Sequence, residues 1–226
     1  RTGVCHDAPR HPRWKDVPLR RILASRFRVP CFVDHGCNCF ALSEALFGEG
    51  RGLRDFIAIL LGEGVSAGLV VNGEVYRGAN GVAGELGHTC IDPDGPPCAC
   101  GSAGCLEVYA SGGALSRMAA GATRARPRGR LAAIASRAGR VPTGEELHAA
   151  AREGDGQARE IFRRMGASLG IGVADLVSLL NPERVILGGG VSRAAEFFLG
   201  ALEETVKRRA WHAAVRDIRV SSLQRG

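Results

Sequence analysis

The chain has 226 residues, of which 45% are hydrophobic and 23% charged, a balance typical of a globular protein that buries a sizeable core. No apolar run is long enough to cross a membrane, and eight cysteines in so long a chain suit a reducing cytoplasm better than a secreted disulfide scaffold. The net charge of +7 comes almost entirely from scattered arginines, and without a helix-turn-helix pattern it does not indicate a nucleic-acid surface.

The first half of the chain predicts helices alternating with short strands. In chain order, we expect a helix at 19–26, a short buried strand at 31–33, a helix at 38–47 and a core strand at 56–61. Two further strands, at 69–71 and 74–76, are separated by Asn72-Gly73. This dipeptide is typical of a type I′ hairpin turn.

The second half predicts mostly helices. A helix at 106–119 is followed by a stretch at 122–141 that is rich in arginine and glycine and has no clear period. The segment 157–180 has its apolar residues on one helical face. A strand at 184–187, a helix at 196–210 and a strand at 218–220 complete the pattern. Hairpins together with strands that alternate with helices predict an α/β sheet packed by helices.

A cluster of metal-binding residue types lies within residues 81–110. Cys98, Cys100 and Cys105 have C-x-C-x4-C spacing, and His88 upstream completes a four-ligand set for tetrahedral zinc. A disulfide between the first two cysteines would be strained, so the remaining alternative is a reduced loop without metal. The other cysteines are expected to be small buried hydrophobic residues. They are Cys5, Cys31, Cys37, Cys39 and Cys90.

Two motifs in this cluster carry a family resemblance. They are G-E-L-G-H at 84–88 and C-A-C-G-S-A-G-C-L-E at 98–107. Together they resemble the signature of the ROK family of repressors and sugar kinases, and the resemblance is strongest to the transcriptional regulators. It extends over about residues 3–223, nearly the whole chain.

The resemblance implies the actin-like ATPase fold, a ribonuclease H-like α/β architecture, with this chain supplying mainly the larger C-terminal lobe. Residues 1–226 would then be a partial ROK domain, truncated at both ends. The N-terminal phosphate-loop lobe and any DNA-binding region would be absent. The segment 81–110 would carry the zinc and sugar site. The family also implies a homodimer or homotetramer.

The resemblance further implies a set of sugar contacts. In the family, the Glu and His of G-E-L-G-H and the Glu of C-L-E hydrogen-bond sugar hydroxyls, and these roles carry over to Glu85, His88 and Glu107. His35 stands where the family has a further sugar-contacting Asn. Carboxylates accept hydrogen bonds from hydroxyls, and a metal-bound His donates from its other nitrogen. The alternative is that both glutamates only support the zinc loop.

Two departures from the family's kinases argue against phosphoryl transfer. Those kinases place an Asn-Asp pair before a helix, with the Asp as base, whereas this chain has His35-Gly36, and a glycine cannot accept a proton. Asp34 and His35 are displaced from the base position, so neither is an expected substitute. Glu63 replaces a phosphate-loop Thr, and a like-charge contact at about 4 Å would cost about 4 kcal/mol.

Glycines remain at the positions of the family's two nucleotide loops. The second loop is equally consistent with a tight strand-to-helix turn. These remnants are Gly62, Gly64, Gly188, Gly189 and Gly190.

The sequence therefore predicts a sugar-responsive transcriptional regulator, of which this chain is the effector-binding and oligomerisation module, without a catalytic residue. Zinc would be structural, ATP would not bind, and operator DNA would be contacted through an absent N-terminal region. One alternative is an ATP-dependent sugar kinase of the glucokinase or hexokinase kind. The other is a non-enzymatic remnant with a purely structural zinc loop.

Overall fold

The computed structural model describes residues 3–7, 13–214 and 217–224. The strands in these residues are β1 (Cys5–Asp7), β2 (Lys15–Val17), β3 (Phe56–Leu61), β4 (Val65–Val71), β5 (Glu74–Tyr76), β6 (Arg184–Gly188) and β7 (Ile218–Val220). The helices are α1 (Leu19–Phe27), α2 (Gly36–Phe47), α3 (Glu107–Ala110), α4 (Gly112–Ala125), α5 (Arg130–Ala138), α6 (Gly144–Arg152), α7 (Gly156–Leu180) and α8 (Ala195–Arg209).

A mixed five-stranded sheet in the order β5-β4-β3-β6-β7 forms the centre of the molecule. Strand β3 is parallel to β6, with Leu60 opposite Gly188, and β6 is parallel to β7. Strands β4 and β5 are antiparallel additions on the other side, and β1 pairs with β2 in a separate ribbon. Because β3 and β6 run in the same direction, the residues after both strands meet at one edge of the sheet.

Both faces of the central sheet are covered, so β3 is apolar throughout. Phe56 and Ala58 face a small core under α2, whereas Ile57, Ile59 and Leu61 face the larger core formed with α7 and α8. The alternation follows from the two-residue period of a strand. The predicted core strand at 56–61 is confirmed.

Helix α7 is the longest element, and the prediction for 157–180 is confirmed to within one residue. Asp155 caps its start by accepting a hydrogen bond from the backbone N–H of Ala158 at 2.8 Å, and Asn181 ends it in the left-handed conformation. Gly166 lets α8 approach closely, because a Cβ at this position would collide with the carbonyl oxygen of Phe198.

The predicted hairpin turn is also confirmed, since Asn72 and Gly73 both have the positive φ that a type I′ turn requires. The predicted strand at 31–33 is wrong. These residues form no strand, and Phe32 is 93% exposed. A strand needs a neighbour to hydrogen-bond, and no strand in the described part of the chain pairs with this segment.

The helical segment at 106–119 is divided into α3 and α4 at Ser111. The backbone of Ser111 is extended and interrupts the helix. The Ser111 hydroxyl accepts a hydrogen bond from the N–H of Ala114 at 3.0 Å and caps α4. The stretch at 122–141 contains α5. Helix α6 has no counterpart in the sequence predictions, although Thr143 and Glu146 form a capping box that marks its start.

A buried carboxylate fixes the end of α2, the helix that carries Gly36 at its start. Glu44 is 0% exposed, and it accepts hydrogen bonds from the N–H of Glu49 at 2.8 Å and from the hydroxyl of Ser221.

Replacing Glu44 with alanine would leave both donors without this acceptor and is expected to lower the free energy of unfolding by about 1–3 kcal/mol. Urea denaturation measures the change. The control is Glu74→Ala, which changes an exposed glutamate and should alter the free energy of unfolding by less than about 0.5 kcal/mol. An equal loss of stability in both variants would contradict the stabilising role of Glu44.

Candidate functional site

The four predicted metal ligands converge in the structure. His88 ends a short 3-10 helix, and the three cysteines lie in the loop that follows it. The ligand atoms of His88, Cys98, Cys100 and Cys105 all lie within 4.8 Å of one another. His88 Nδ1 is 3.7 Å from Cys98 Sγ, and Cys100 Sγ is 3.6 Å from Cys105 Sγ.

These distances fit a tetrahedral metal ion. Zinc bonds of about 2.3 Å to sulfur and about 2.0–2.1 Å to nitrogen place neighbouring donor atoms roughly 3.5–3.8 Å apart. Burial raises the pKa of the Cys105 thiol to about 12, and the neighbouring thiols add to the effect. A cation among the sulfur atoms would supply the charge that thiolate ligands need. The cluster can therefore hold a metal ion.

Local hydrogen bonds shape the loop around this cluster. The N–H of Cys98 donates to the carbonyl of Ser102 at 2.7 Å, which closes the turn that contains Cys100. Gly104 has a positive φ, and a Cβ there would collide with the carbonyl oxygen of Asp92. The Tyr109 hydroxyl donates to Asp92 Oδ2 at 2.7 Å and joins the loop to α3.

The predicted sugar contacts lie on segments that pack against β4. His35 Nε2 lies 3.7 Å from Glu85 Oε1. Glu107, the first residue of α3, accepts a hydrogen bond from the N–H of Val65 at 3.1 Å, and its Cβ packs near Gly87. His88 directs Nδ1 towards the cysteines, so Nε2 is the nitrogen available to another partner. The two carboxylates and two imidazoles thus come from three segments: the start of α2, the turn at 85–88 and the start of α3.

Residue 36, the expected base position, is a glycine and has no side chain. Gly36 is the first residue of α2, and a Cβ built there would meet only Leu60 Cδ2, at 3.9 Å. Glu63 lies in the turn between β3 and β4 and is exposed. Solvent therefore weakens its repulsion of a phosphate to nearer about 1 kcal/mol than the 4 kcal/mol expected from the sequence.

The two glycine loops meet at one edge of the sheet. Gly62 and Gly64 form the turn after β3, whereas Gly188 ends β6 and Gly190 begins the next 3-10 turn. Gly189 has a φ of +92°, and a Cβ there would collide with the carbonyl oxygen of Leu61. The neighbouring parallel strands β3 and β6 thus bring the two sets of glycines together.

A hydrogen-bonded network that the sequence reasoning missed holds the start of α2. Asp34 accepts from the N–H of His35 at 2.8 Å, from Asn38 Nδ2 at 2.9 Å and from Arg77 Nε at 2.7 Å. Partial burial acts to raise the pKa of Asp34, but the hydrogen bonds from Asn38 and Arg77 outweigh it and hold this pKa below its usual value. His35 Nδ1 also lies 2.8 Å from Cys37 Sγ.

The ROK family profile matches residues 3–224. This chain belongs to the ROK family. Among curated ROK relatives, it is 37% identical to the glucokinase of Thermotoga maritima, over 90% of this chain and 64% of that protein. It is 35% identical to the xylose repressor of Caldicellulosiruptor bescii, over 92% of this chain and 52% of that protein. The chain thus spans about half to two thirds of these relatives.

Solved ROK structures of both functional kinds share the fold. A ROK glucokinase from Streptomyces griseus, in complex with glucose and AMPPNP, has a TM-score of 0.85 and 35% identity, covering 98% of this chain and 72% of its own. A ROK transcriptional regulator, a homologue of the E. coli MLC protein, has a TM-score of 0.86 and 30% identity, covering 97% of this chain and 55% of its own. The predicted actin-like α/β fold is confirmed.

Among the described residues, no helix of this ROK chain is long and apolar enough to span a membrane.

The expectation that the remaining cysteines are buried holds only for Cys37. Cys5 and Cys31 are partly buried, and Cys39 and Cys90 are exposed. Their surroundings depend on tertiary contacts that the local apolar pattern does not encode.

Proposed function

We propose that this ROK chain is the effector-binding and oligomerisation module of a sugar-responsive transcriptional regulator. The observation that carries the proposal is Gly36 at the first turn of α2, where the family's kinases have the proton-accepting Asp. A glycine has no group that can take the proton of an attacking hydroxyl. The module would bind a sugar without transferring a phosphoryl group to it.

Neither neighbouring side chain is a good replacement for the base. Asp34 already accepts three hydrogen bonds, one of them within an ion pair with Arg77, and its lowered pKa makes it a weak proton acceptor. His35 has Cys37 on one ring nitrogen and Glu85 on the other side. These contacts favour a role in positioning the start of α2 and in contacting the proposed sugar.

The proposed ligand is a hexose or an amino sugar, contacted by Glu85, His88, Glu107 and His35. The two carboxylates would accept hydrogen bonds from sugar hydroxyls, and the two imidazoles would donate or accept further hydrogen bonds. We assign zinc to the His88 cluster. When bound, the ion supplies a rigid tetrahedral junction that fixes the loop between His88 and Glu107.

The proposed regulator is a cytoplasmic homodimer or homotetramer. Its operator DNA is bound by a region outside these 226 residues. Sugar binding would favour one conformer of this module over another, and the DNA-binding region would respond to that shift. The 35% identity to a xylose repressor supports this assignment.

An ATP-dependent sugar kinase is the second candidate. Two observations favour it: the 37% identity to a glucokinase, and the close approach of Gly189 to Leu61, the residue before Gly62, at the edge of the sheet. The kinase would need a base other than residue 36. The two functions differ in whether a bound sugar is phosphorylated.

Calorimetric titration of the full-length protein with hexoses and N-acetylhexosamines, followed by a coupled ADP-release assay with MgATP and each sugar that binds, tests the proposal. We expect at least one sugar to bind and none to stimulate ADP release. ADP release at a rate typical of sugar kinases would reject the regulator, and binding of none of the sugars would reject the effector site.

The carboxylate of Glu107 is expected to contribute directly to sugar affinity. Glu107→Gln removes the charge while retaining a similar shape, and it should weaken binding by about 1.5–3 kcal/mol, or roughly 10- to 150-fold. The same titration measures the change. Glu203→Gln alters an exposed carboxylate on α8 and serves as the matched control. Equal affinities in wild type and Glu107→Gln would remove Glu107 from the ligand contacts.

A further inference from the structure

A cysteine outside the metal set lies directly opposite one of the ligands. Cys90 and Cys105 face each other in a short antiparallel pairing. The N–H of Ile91 donates to the carbonyl of Gly104 at 2.9 Å, and the N–H of Leu106 donates to the carbonyl of Thr89 at 2.8 Å. These hydrogen bonds lie on either side of the cysteine pair and fix its register.

The pattern of these bonds determines how close the two cysteines are. Because the flanking residues make the hydrogen bonds, Cys90 and Cys105 form a non-hydrogen-bonded pair, with Cα atoms about 4.5 Å apart and side chains on the same side. Disulfides join cysteines whose Cα atoms are about 4.4–6.8 Å apart. The register therefore suits a disulfide without movement of the backbone.

The two thiols differ in access to solvent. Cys90 is exposed, whereas Cys105 is 0% exposed and lies among the metal-ligand atoms. A small oxidant in solution can reach Cys90, and Cys105 is then in position to attack it from the interior. Cys39 is also exposed but has no cysteine opposite it in the described pairings.

We propose that Cys90 and Cys105 form a disulfide when the protein meets a peroxide, and that this disulfide competes with metal binding. The second part of the proposal rests on the assignment of zinc to the His88 cluster. Once oxidised, Cys105 cannot act as a thiolate ligand, and only His88, Cys98 and Cys100 remain. A site with three ligands holds zinc less tightly than the complete set.

The chemistry balances with hydrogen peroxide as the oxidant. The sulfur of Cys90 attacks one peroxide oxygen, the O–O bond breaks, and Cys90 becomes a sulfenic acid while the other oxygen leaves as water. The sulfur of Cys105 then attacks the sulfur of Cys90. The S–S bond forms and the S–O bond breaks. The leaving hydroxide takes the thiol proton of Cys105, or a proton from solvent where Cys105 is already a thiolate, to give a second water. Two thiols lose two electrons, and one peroxide gains them.

The pairing lies between two of the proposed sugar contacts. His88 is two residues before Cys90, and Glu107 is two residues after Cys105. Loss of the metal from this loop would release His88 from its ligand position and loosen the start of α3. The oxidised protein should consequently bind its sugar less tightly, and a dithiol reductant followed by zinc should restore the affinity.

The test treats the protein, as purified with its metal, with hydrogen peroxide and follows three quantities. Intact mass should fall by two hydrogen atoms, peptide mapping should link Cys90 to Cys105, and a chromogenic chelator should detect release of one metal equivalent. Cys90→Ser should keep its metal over the same period, whereas Cys39→Ser, the control, should release it as wild type does.

Two outcomes would overturn the inference. One is metal release from Cys90→Ser at the wild-type rate. The other is a mapped disulfide that joins Cys100 to Cys98 or to Cys105 and leaves Cys90 reduced. Metal content before peroxide treatment tests the zinc assignment separately, and the mapped disulfide in wild type tests the pairing even if a variant folds poorly.

Discussion

Replacing Cys100 with serine is expected to abolish stoichiometric metal binding and to disorder the loop between His88 and Glu107. Structural zinc sites in small domains have apparent binding free energies of about 10–16 kcal/mol, most of which is lost when the ligand set is incomplete. The loop has few buried apolar residues to replace this contribution, since many of its residues are exposed. Elemental analysis should find one metal equivalent per chain in wild type and none in the variant.

Amide hydrogen exchange identifies where the structure is lost. Protection should fall at the N–H groups of Cys98, Gly104 and Leu106, which donate within the loop, and should persist in β3 and α7. Cys39→Ser, which changes an exposed cysteine outside the cluster, should retain both metal and protection. A full equivalent of metal in Cys100→Ser would mean that this cysteine is not a ligand.

The second large expected effect is the absence of useful phosphoryl transfer. Loss of a general base removes about 10²- to 10⁴-fold in rate, whereas working kinases turn over about 1–100 times per second. Most of this loss should come from Gly36, because Glu63 is exposed and its repulsion is weakened by solvent. A coupled ADP-release assay on the full-length protein over several hexoses and N-acetylhexosamines measures the rate.

A carboxylate introduced at the expected base position provides a direct test. The nearest atom to a Cβ at Gly36 is 3.9 Å away, so an aspartate fits, and Gly36→Asp should raise any residual turnover by about 10²-fold or more. The asparagine of Gly36→Asn has the shape of aspartate but lacks the proton-accepting carboxylate, so this variant should not raise turnover. Turnover of about 1–100 per second in the unmodified protein would contradict the prediction, and an equal gain in both variants would exclude a role as base.

Much of the fold follows from local patterns in the sequence. The apolar run of β3, the Asn72-Gly73 turn and the long amphipathic α7 each specify their own structure. The strand expected at 31–33 failed because its formation depends on a partner strand, and apolar residues alone do not supply one. The break at Ser111 depends on a serine that caps the following helix, and a hydrophobic period does not reveal such a cap.

The candidate site likewise has one part that the sequence predicts and other parts that depend on the fold. The metal ligands are close in sequence, so their spacing alone predicts that they converge. The network of Asp34 with Arg77 joins residues 43 positions apart, and it requires the fold to bring them together. The register that sets Cys90 against Cys105 likewise depends on backbone hydrogen bonds, which no motif in this segment encodes.

The turn that contains Glu63 is connected to the starts of α3 and α4 by two hydrogen bonds. The N–H of Val65 donates to Glu107 Oε2 at 3.1 Å, and the N–H of Gly112 donates to the carbonyl of Gly62 at 2.7 Å. A ligand that draws the Glu107 carboxylate away from Val65 therefore changes the restraint on the turn. Thermodynamic reciprocity makes this coupling equal in both directions. If the proposed sugar binds at Glu107, a change that stabilises the turn alters the affinity for the sugar by the factor with which the sugar alters the stability of the turn, so this turn would respond to the sugar without binding a nucleotide.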